Sequence, residues 1–214
     1  MRKSEIENID EVFEEVGQDE RDWKVYSFWY KEGEHVYKEE EPDNFVYRLK
    51  KGELIQYKDS KEKGVIYNYV KSGDIFSTYE ITSDNINQTA STLAVTHSKV
   101  EMIERREFRR VLKTNPELIL DMGDYMTDEL QERDGTLRKQ LNTTRSQRLL
   151  DFFLELENTG YRDTKGLHLD REVRSYYTEI TKSSNSVITR ALQDLKEEGL
   201  VEEDEENNEF IVHV

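Results

Sequence analysis

From Lys182 to Arg190 the chain reads Lys-Ser-Ser-Asn-Ser-Val-Ile-Thr-Arg. Short hydroxyl and amide side chains alternate there with two cations, a set suited to hydrogen bonding and to holding anions. The segment that carries them has helical spacing. Val187, Ile188, Ala191, Leu192 and Leu195 recur on one face,. Asn185, Ser186, Thr189, Arg190 and Gln193 fall largely off it. Ser183, Ser184 and Asn185 are all good N-caps, and Gly199 is a suitable C′ stop. Leu200 and Val201 then restart an apolar run. Asn207 and Asn208 read as a hairpin turn, and Phe210 to Val214 as its return strand. A capped helix with a small, polar, basic outer face, followed at once by a hairpin, is the order of a winged helix-turn-helix. The plainer reading is a surface helix and terminal hairpin with no nucleic-acid role.

Other chemistries are poorly supplied. The 214 residues contain no cysteine and four scattered histidines. Disulfides, thiol catalysis, Cys zinc sites and iron–sulfur clusters are therefore excluded. No glycine-rich phosphate loop is present. His35 beside Glu32 or Glu34 is too thin a set for a metalloenzyme, so the chain reads as a non-enzyme. It has no signal-peptide pattern and no apolar run of membrane-spanning length, which predicts a cytoplasmic protein.

Charge opposes DNA binding in sum but not in distribution. The net charge is −16, and a duplex repels that. Residues 1–141 hold 22 Lys/Arg against 31 Asp/Glu, and residues 197–214 hold none against 8. Residues 142–196 hold 9 against 8, so the candidate segment lies in the one stretch that is not acidic,. The run Glu202 to Glu206 makes a poor wing for phosphates.

The elements that must position this segment are legible upstream. Residues 1 to about 22 have helix-like spacing at Ile6, Ile9, Val12, Phe13 and Val16. From Trp23 to Ile103 come short alternating runs: 25–30, 35–37, 45–49, 54–57, 65–70 and 91–103. Gly33, Gly52, Gly64 and Gly73 punctuate them, which predicts a β-roll. Glu104 to Leu141 turns helical, with Ile119, Met122, Met126, Leu130, Leu137 and Leu141 as an apolar stripe broken at Arg133-Asp134-Gly135. A long helix with an interrupted seam suits a two-chain interface. Thr144 opens the next helix in a capping-box pattern with Gln147, and Asp170 can cap a later one. The expected fold is α+β: an antiparallel, jelly-roll-like β-roll over 1–112, a long dimerisation helix and hinge over 113–143, and a winged helix-turn-helix over 144–214.

This order resembles the Crp/Fnr family of bacterial transcription regulators over most of the chain. The carrying residues are Lys51-Gly-Glu, Lys71-Ser-Gly-Asp-Ile-Phe, Glu107-Phe-Arg-Arg-Val-Leu with Asn115-Pro-Glu-Leu, the hinge at Thr144, and Val187 through Val201. The resemblance implies a homodimer on double-stranded DNA with an inverted-repeat operator, and contact with RNA polymerase. The runner-up is a degenerate member acting through protein partners.

Departures from the family pattern sharpen the expectation. In cyclic-AMP-binding members Gly-Asp-x-x is followed by Gly-Glu-Leu, with an Arg-Ser pair about ten residues on. Ser77-Thr78-Tyr79 and Gln88-Thr89 stand there, so a cyclic phosphate loses its guanidinium partner. Arg133-Asp134 replaces the ring-binding Thr-Ser of the long helix. These residues form the candidate effector pocket of a member that does not use cyclic AMP and has no bound cofactor. The arginine-glutamate start of many recognition helices is replaced by Asn185-Ser186. The preceding Tyr176-Tyr-Thr-Glu-Ile-Thr-Lys-Ser-Ser looks longer than the usual turn and is locally similar to the PrfA-type activators of Listeria, which implies control by another small molecule, glutathione in that type, or by none. Within this resemblance Asn185, Ser186 and Thr189 would read base edges. Lys182, Ser184 and Arg190 would hold phosphates. Arg145 and Arg148 are further phosphate candidates with an equally good structural reading.

Overall fold

The structure is a computed structural model that describes residues 12–13, 24–59, 63–78, 81 and 87–213. Of the expected N-terminal helix only Val12 and Phe13 fall among these; both are helical and buried.

Two four-stranded antiparallel sheets form the roll. One has the order β1 (Tyr26–Tyr30), β8 (Ser98–Glu104), β3 (Phe45–Lys51), β6 (Ile75–Phe76). The other has β2 (His35–Tyr37), β7 (Ser91–Ala94), β4 (Leu54–Lys58), β5 (Val65–Val70). The run from Ser91 to Ile103 is thus two strands in different sheets, because the chain bends at residues 95–97 to cross the roll. Leu49, Leu54, Phe76, Ala94 and Val100 fill the space between the sheets.

The second sheet is buried on both faces. Leu54 pairs with Ala94 facing the roll interior, while the next pair, Ile55 with Leu93, faces the opposite way. Period-two alternation sends Ile55, Tyr57, Ile66 and Leu93 into a core shared with the C-terminal helices,. Gly64 permits this contact: a Cβ there would lie 1.5 Å from the Ile180 carbonyl oxygen.

Helix α1 (Arg105–Thr114) ends at Asn115, and α2 (Glu117–Asn142) runs on from Pro116. The expected single stripe on α2 is two faces. Leu118 and Met122 pack inward, whereas Ile119, Leu120, Leu130, Leu137 and Leu141 are exposed. Among the described residues no helix is long and apolar enough to cross a membrane.

The C-terminal unit comprises α3 (Arg145–Glu155), β9 (Tyr161–Arg162), β10 (Leu167–Asp170), α4 (Val173–Thr181), α5 (Asn185–Glu197), β11 (Val201–Asp204) and β12 (Glu209–Val212). Its sheet order is β11-β12-β10-β9. Thr144 caps α3 by accepting from the Gln147 amide at 3.1 Å. Asp170 accepts from the Glu172 amide at 2.8 Å at the entry to α4. Only residues 182–184 separate α4 from α5. The apparent extra length of this piece lies in α4, and the turn is ordinary for the motif. Lys182 makes the turn with a left-handed backbone, φ 53°.

Candidate nucleic-acid interface and the polar core of the roll

Helix α5 is held from beneath and presented outward. Ile188, Ala191, Leu192 and Leu195 are buried against Leu149, Phe153 and Val201 of one core. Ser184, Asn185, Ser186, Thr189 and Arg190 are all exposed. The helix stops at a left-handed Gly199, φ 71°. There the Gly199 amide bonds the Lys196 carbonyl at 3.0 Å and the Leu200 amide bonds the Leu195 carbonyl at 2.9 Å, the paired bonds of a Schellman stop. At the other end Ser184 is the N-cap residue but its hydroxyl makes no cap bond. It lies instead 3.0 Å from the Ser186 hydroxyl.

The flanking cations divide into two kinds. Lys182 is ion-paired with Asp59 of the roll. Arg148 donates from Nη1 to the Gln140 and Thr143 carbonyls at 2.8 and 2.9 Å, so it secures the end of the long helix at the hinge. Arg145 is exposed. These three cations and Lys63 line a cleft of about 430 Å³ between the roll, the hinge and the start of α5.

The β11–β12 hairpin is orderly and acidic. The Asp204 carboxylate accepts from the amides of Glu206 and Asn207 at 3.0 and 3.1 Å. Together with the Asn207 side chain, these bonds hold its carboxyl below the usual range. Lys196 and Arg171 both approach Glu203, at 3.0 and 3.5 Å, so the nearest cations are already neutralised. Beneath the hairpin, His168 is buried with Nδ1 2.9 Å from Glu209 and Nε2 2.9 Å from Asp163. Both acceptors are carboxylates, so a ring proton on each nitrogen satisfies both. The Glu209 hydrogen bond is the main cause that raises its pKa.

The candidate effector residues separate into an inner group and an outer one. Ser77 and Gln88 are buried and bonded to each other at 2.9 and 3.1 Å. Gln88 also donates to Asp43 at 2.6 Å, and Asp43 accepts from the Tyr47 hydroxyl. Thr78 donates to Glu129 at 3.0 Å. Arg133 donates to Glu129 at 2.5 Å and to Gln56 at 3.2 Å, with its guanidinium 4.9 Å from the Tyr67 ring centre. Gln56 continues the network to Tyr37, Thr92 and Asn68. Burial is the main influence on Glu129 and raises its pKa, against the pull of Arg133. Thr89 and Asp134 do not join this group: Thr89 is exposed, and Asp134 pairs with Arg138 at 2.7 Å on the outside of α2. Tyr79 lies outside the described residues.

Comparisons with known proteins agree with this geometry. Residues 27–115 match the family model described as the cyclic nucleotide-binding domain. The cAMP-activated global transcriptional regulators CRP of Salmonella typhimurium and Escherichia coli O157:H7 are each 22% identical over 187 residues, covering 81% of this chain and 88% of theirs. The c-di-GMP-responsive global regulator CLP of Xanthomonas campestris has a similar fold, with a TM-score of 0.71 at 12% identity over 89% of this chain and 94% of its own. FixK2 of Bradyrhizobium japonicum gives 0.65 at 17% identity, over 89% and 93%. Residues 27–115 are thus similar to a cyclic nucleotide-binding domain, and most of the chain is similar to the CRP transcriptional regulators. Both CRP relatives are named as transcriptional regulators.

Within this Crp/Fnr fold, reading the sequence missed Glu129, Gln56, Asn68 and Asp43. A polar residue facing inward on a strand, such as Gln56 between Ile55 and Tyr57, is the signal that could have found them. It also missed Arg174, whose Nη2 donates to Thr189 Oγ1 at 3.0 Å.

Proposed function

We propose that this chain is a Crp/Fnr-type regulator that binds DNA as a symmetric dimer, reads an inverted repeat with α5, and is not controlled by cyclic AMP. One observation carries the DNA reading: Asn185, Ser186, Thr189 and Arg190 are exposed together on a helix whose other face is buried. Asn185, Ser186 and Thr189 read base edges, while Lys182, Ser184 and Arg190 hold phosphates. Lys182 must first give up Asp59. Two copies related by a two-fold axis would present two such helices to half-sites about one helical turn apart. The exposed leucines of α2 supply an apolar seam for that pairing.

The interior of the roll supports independence from cyclic AMP. Its polar side chains bond one another, and the carboxylates Asp43 and Glu129 within that network would repel an anionic phosphate. Arg133, the cation beside Glu129, is already shared between Glu129 and Gln56. Thermal melting with and without cyclic AMP tests this part. An unchanged midpoint is expected; a rise of several degrees with ligand concentration would refute it.

Mobility-shift titration on the chain's own upstream DNA, at two salt concentrations, tests the DNA reading. Binding that weakens steeply with salt is expected. Binding that Arg190→Ala and Lys182→Ala leave untouched would refute the assignment of α5.

A further inference from the structure

Thr189 stands in the second turn of α5 with its side chain exposed. Helical threonines often turn the hydroxyl back onto the carbonyl one turn earlier. Thr127, Thr178 and Thr181 do this, donating to the carbonyls of Gly123, Arg174 and Tyr177 at 2.8, 2.8 and 2.6 Å. The Thr189 oxygen instead accepts a hydrogen bond from Arg174 of α4, 15 residues away in the chain. An oxygen that accepts from a guanidinium keeps its own hydrogen for a different acceptor.

Arg174 is suited to this task. It lies in the first turn of α4, at the end of that helix away from the turn that delivers α5, and reaches across to the second turn of α5. In a chain with 47 acidic residues, no carboxylate pairs with it among the described residues. Its planar fork can hold the Thr189 oxygen with one N–H and keep others free.

Resting on the DNA-reading role given to α5, we propose that Arg174 is a positioning residue for base recognition. It fixes the Thr189 hydroxyl so that Thr189 acts as a hydrogen-bond donor in the major groove. A fixed donor selects an acceptor: a purine N7, guanine O6 or thymine O4. With one of its two lone pairs held by Arg174, the hydroxyl is a poorer acceptor for the exocyclic amino groups of adenine and cytosine. Without Arg174 the hydroxyl can rotate back to its own helix, and the selection is lost.

The test is selection of preferred sites from random DNA by the full-length chain, its Thr189→Val and Arg174→Ala forms, and the double variant. Affinity for the wild-type site is then measured against single-base variants. Both single changes should relax preference at the same symmetric pair of base positions, by roughly 5- to 150-fold each. The double variant should lose little more than either alone. Arg174→Lys, which keeps the charge without the fork, should relax preference at the same positions. Unchanged thermal melting checks the fold of each form. The proposal is overturned if Arg174→Ala weakens every sequence equally, lowers the salt slope by about one, and adds independently to Thr189→Val, as a phosphate ligand would. If the unaltered chain selects no sequence, the DNA-reading role of α5 fails and takes the proposal with it. That outcome is visible before any variant is made.

Discussion

Arg133 reaches from the long helix into the roll and donates to Gln56 Oε1 at 3.2 Å, across 77 residues of sequence. Arg133 also holds Glu129, one helical turn back, so both charges of this buried pair face the roll's interior polar network. The pair joins the long helix to the second sheet.

Removing one partner should therefore be costly. Arg133→Ala leaves the Glu129 carboxylate buried without its cation, at a cost of about 3–5 kcal/mol. Replacing both, as Arg133→Met with Glu129→Leu, should cost much less, because the desolvation of both charges disappears too. The single variant should also regain part of its stability on acidification, as Glu129, already raised by burial, takes up a proton. Denaturant unfolding of the three forms over a pH series checks this. Equal losses in single and double variants would contradict it.

His168 gives the wing sheet a pH dependence of opposite sign to that of the carboxylates. Its folded pKa is raised, chiefly by Glu209. Stability from the clamp is thus fully present below about pH 6.5, the unfolded value. It is lost as pH rises through the higher folded value. Thermal melting of the intact chain and of His168→Gln should differ most below that pH and converge above it. A difference that grows as pH rises would contradict the clamp.

Leu120 and Leu141 are 75% and 80% exposed, and Leu130 and Leu137 lie on the same helix at 52% and 38%. Leu130 and Leu137 are one heptad apart, the repeat that faces a partner helix. Leu130→Arg with Leu137→Arg should weaken self-association by at least about 100-fold, since each leucine removed from an interface costs roughly 1.5–3 kcal/mol. Sedimentation equilibrium reads this directly. Unchanged mass over the concentration range would contradict a dimer built on this face.

Gly64 controls how closely the C-terminal unit sits on the roll. Gly64→Ala would place a methyl 1.5 Å from the Ile180 carbonyl oxygen, which is backbone and cannot swing aside. A loss of about 1–3 kcal/mol is expected, together with weakening of the nearby Lys182–Asp59 pair. Faster proteolysis at residues 143–144, where the long helix meets the C-terminal unit, measured against Gly73→Ala, checks this. Gly73 has open space around its Cβ position but a left-handed φ of 99°, so its own cost is backbone strain alone. Equal proteolysis of the two would argue against a clash at Gly64.

Much of the fold was legible because its signals are local. Alternation marked most strands of the roll, and caps and a glycine stop marked α5. The strands 75–76 and 161–162 were too short to alternate. The bend at 95–97 was hidden because strands on either side are equally apolar. The candidate pocket was half legible. Ser77 meets Gln88, and Thr78 meets Arg133 through Glu129, but spacing cannot tell which of two adjacent helical residues turns inward, so Asp134 was grouped with Arg133 although it faces out. Gln56 and Asp43 were missed because their contacts to Arg133 and Gln88 span 77 and 45 residues, and Glu129, although one turn from Arg133, shows its burial only through Thr78, 51 residues away. Arg174 was missed for the same reason: its relation to Thr189 exists only once α4 and α5 are folded together.

The central claim is that the exposed face of α5 reads DNA. Its most direct test is fluorescence-anisotropy titration of a site selected by the chain itself, comparing the intact protein with Asn185→Ala, Ser186→Ala and Arg190→Ala. The expected result is tight binding that falls with salt. The first two changes should relax preference at defined bases, by about 1–3 kcal/mol per lost base contact. Arg190→Ala should weaken all sequences alike and flatten the salt slope. Equal affinity of all four forms, or no sequence selected at all, would contradict it.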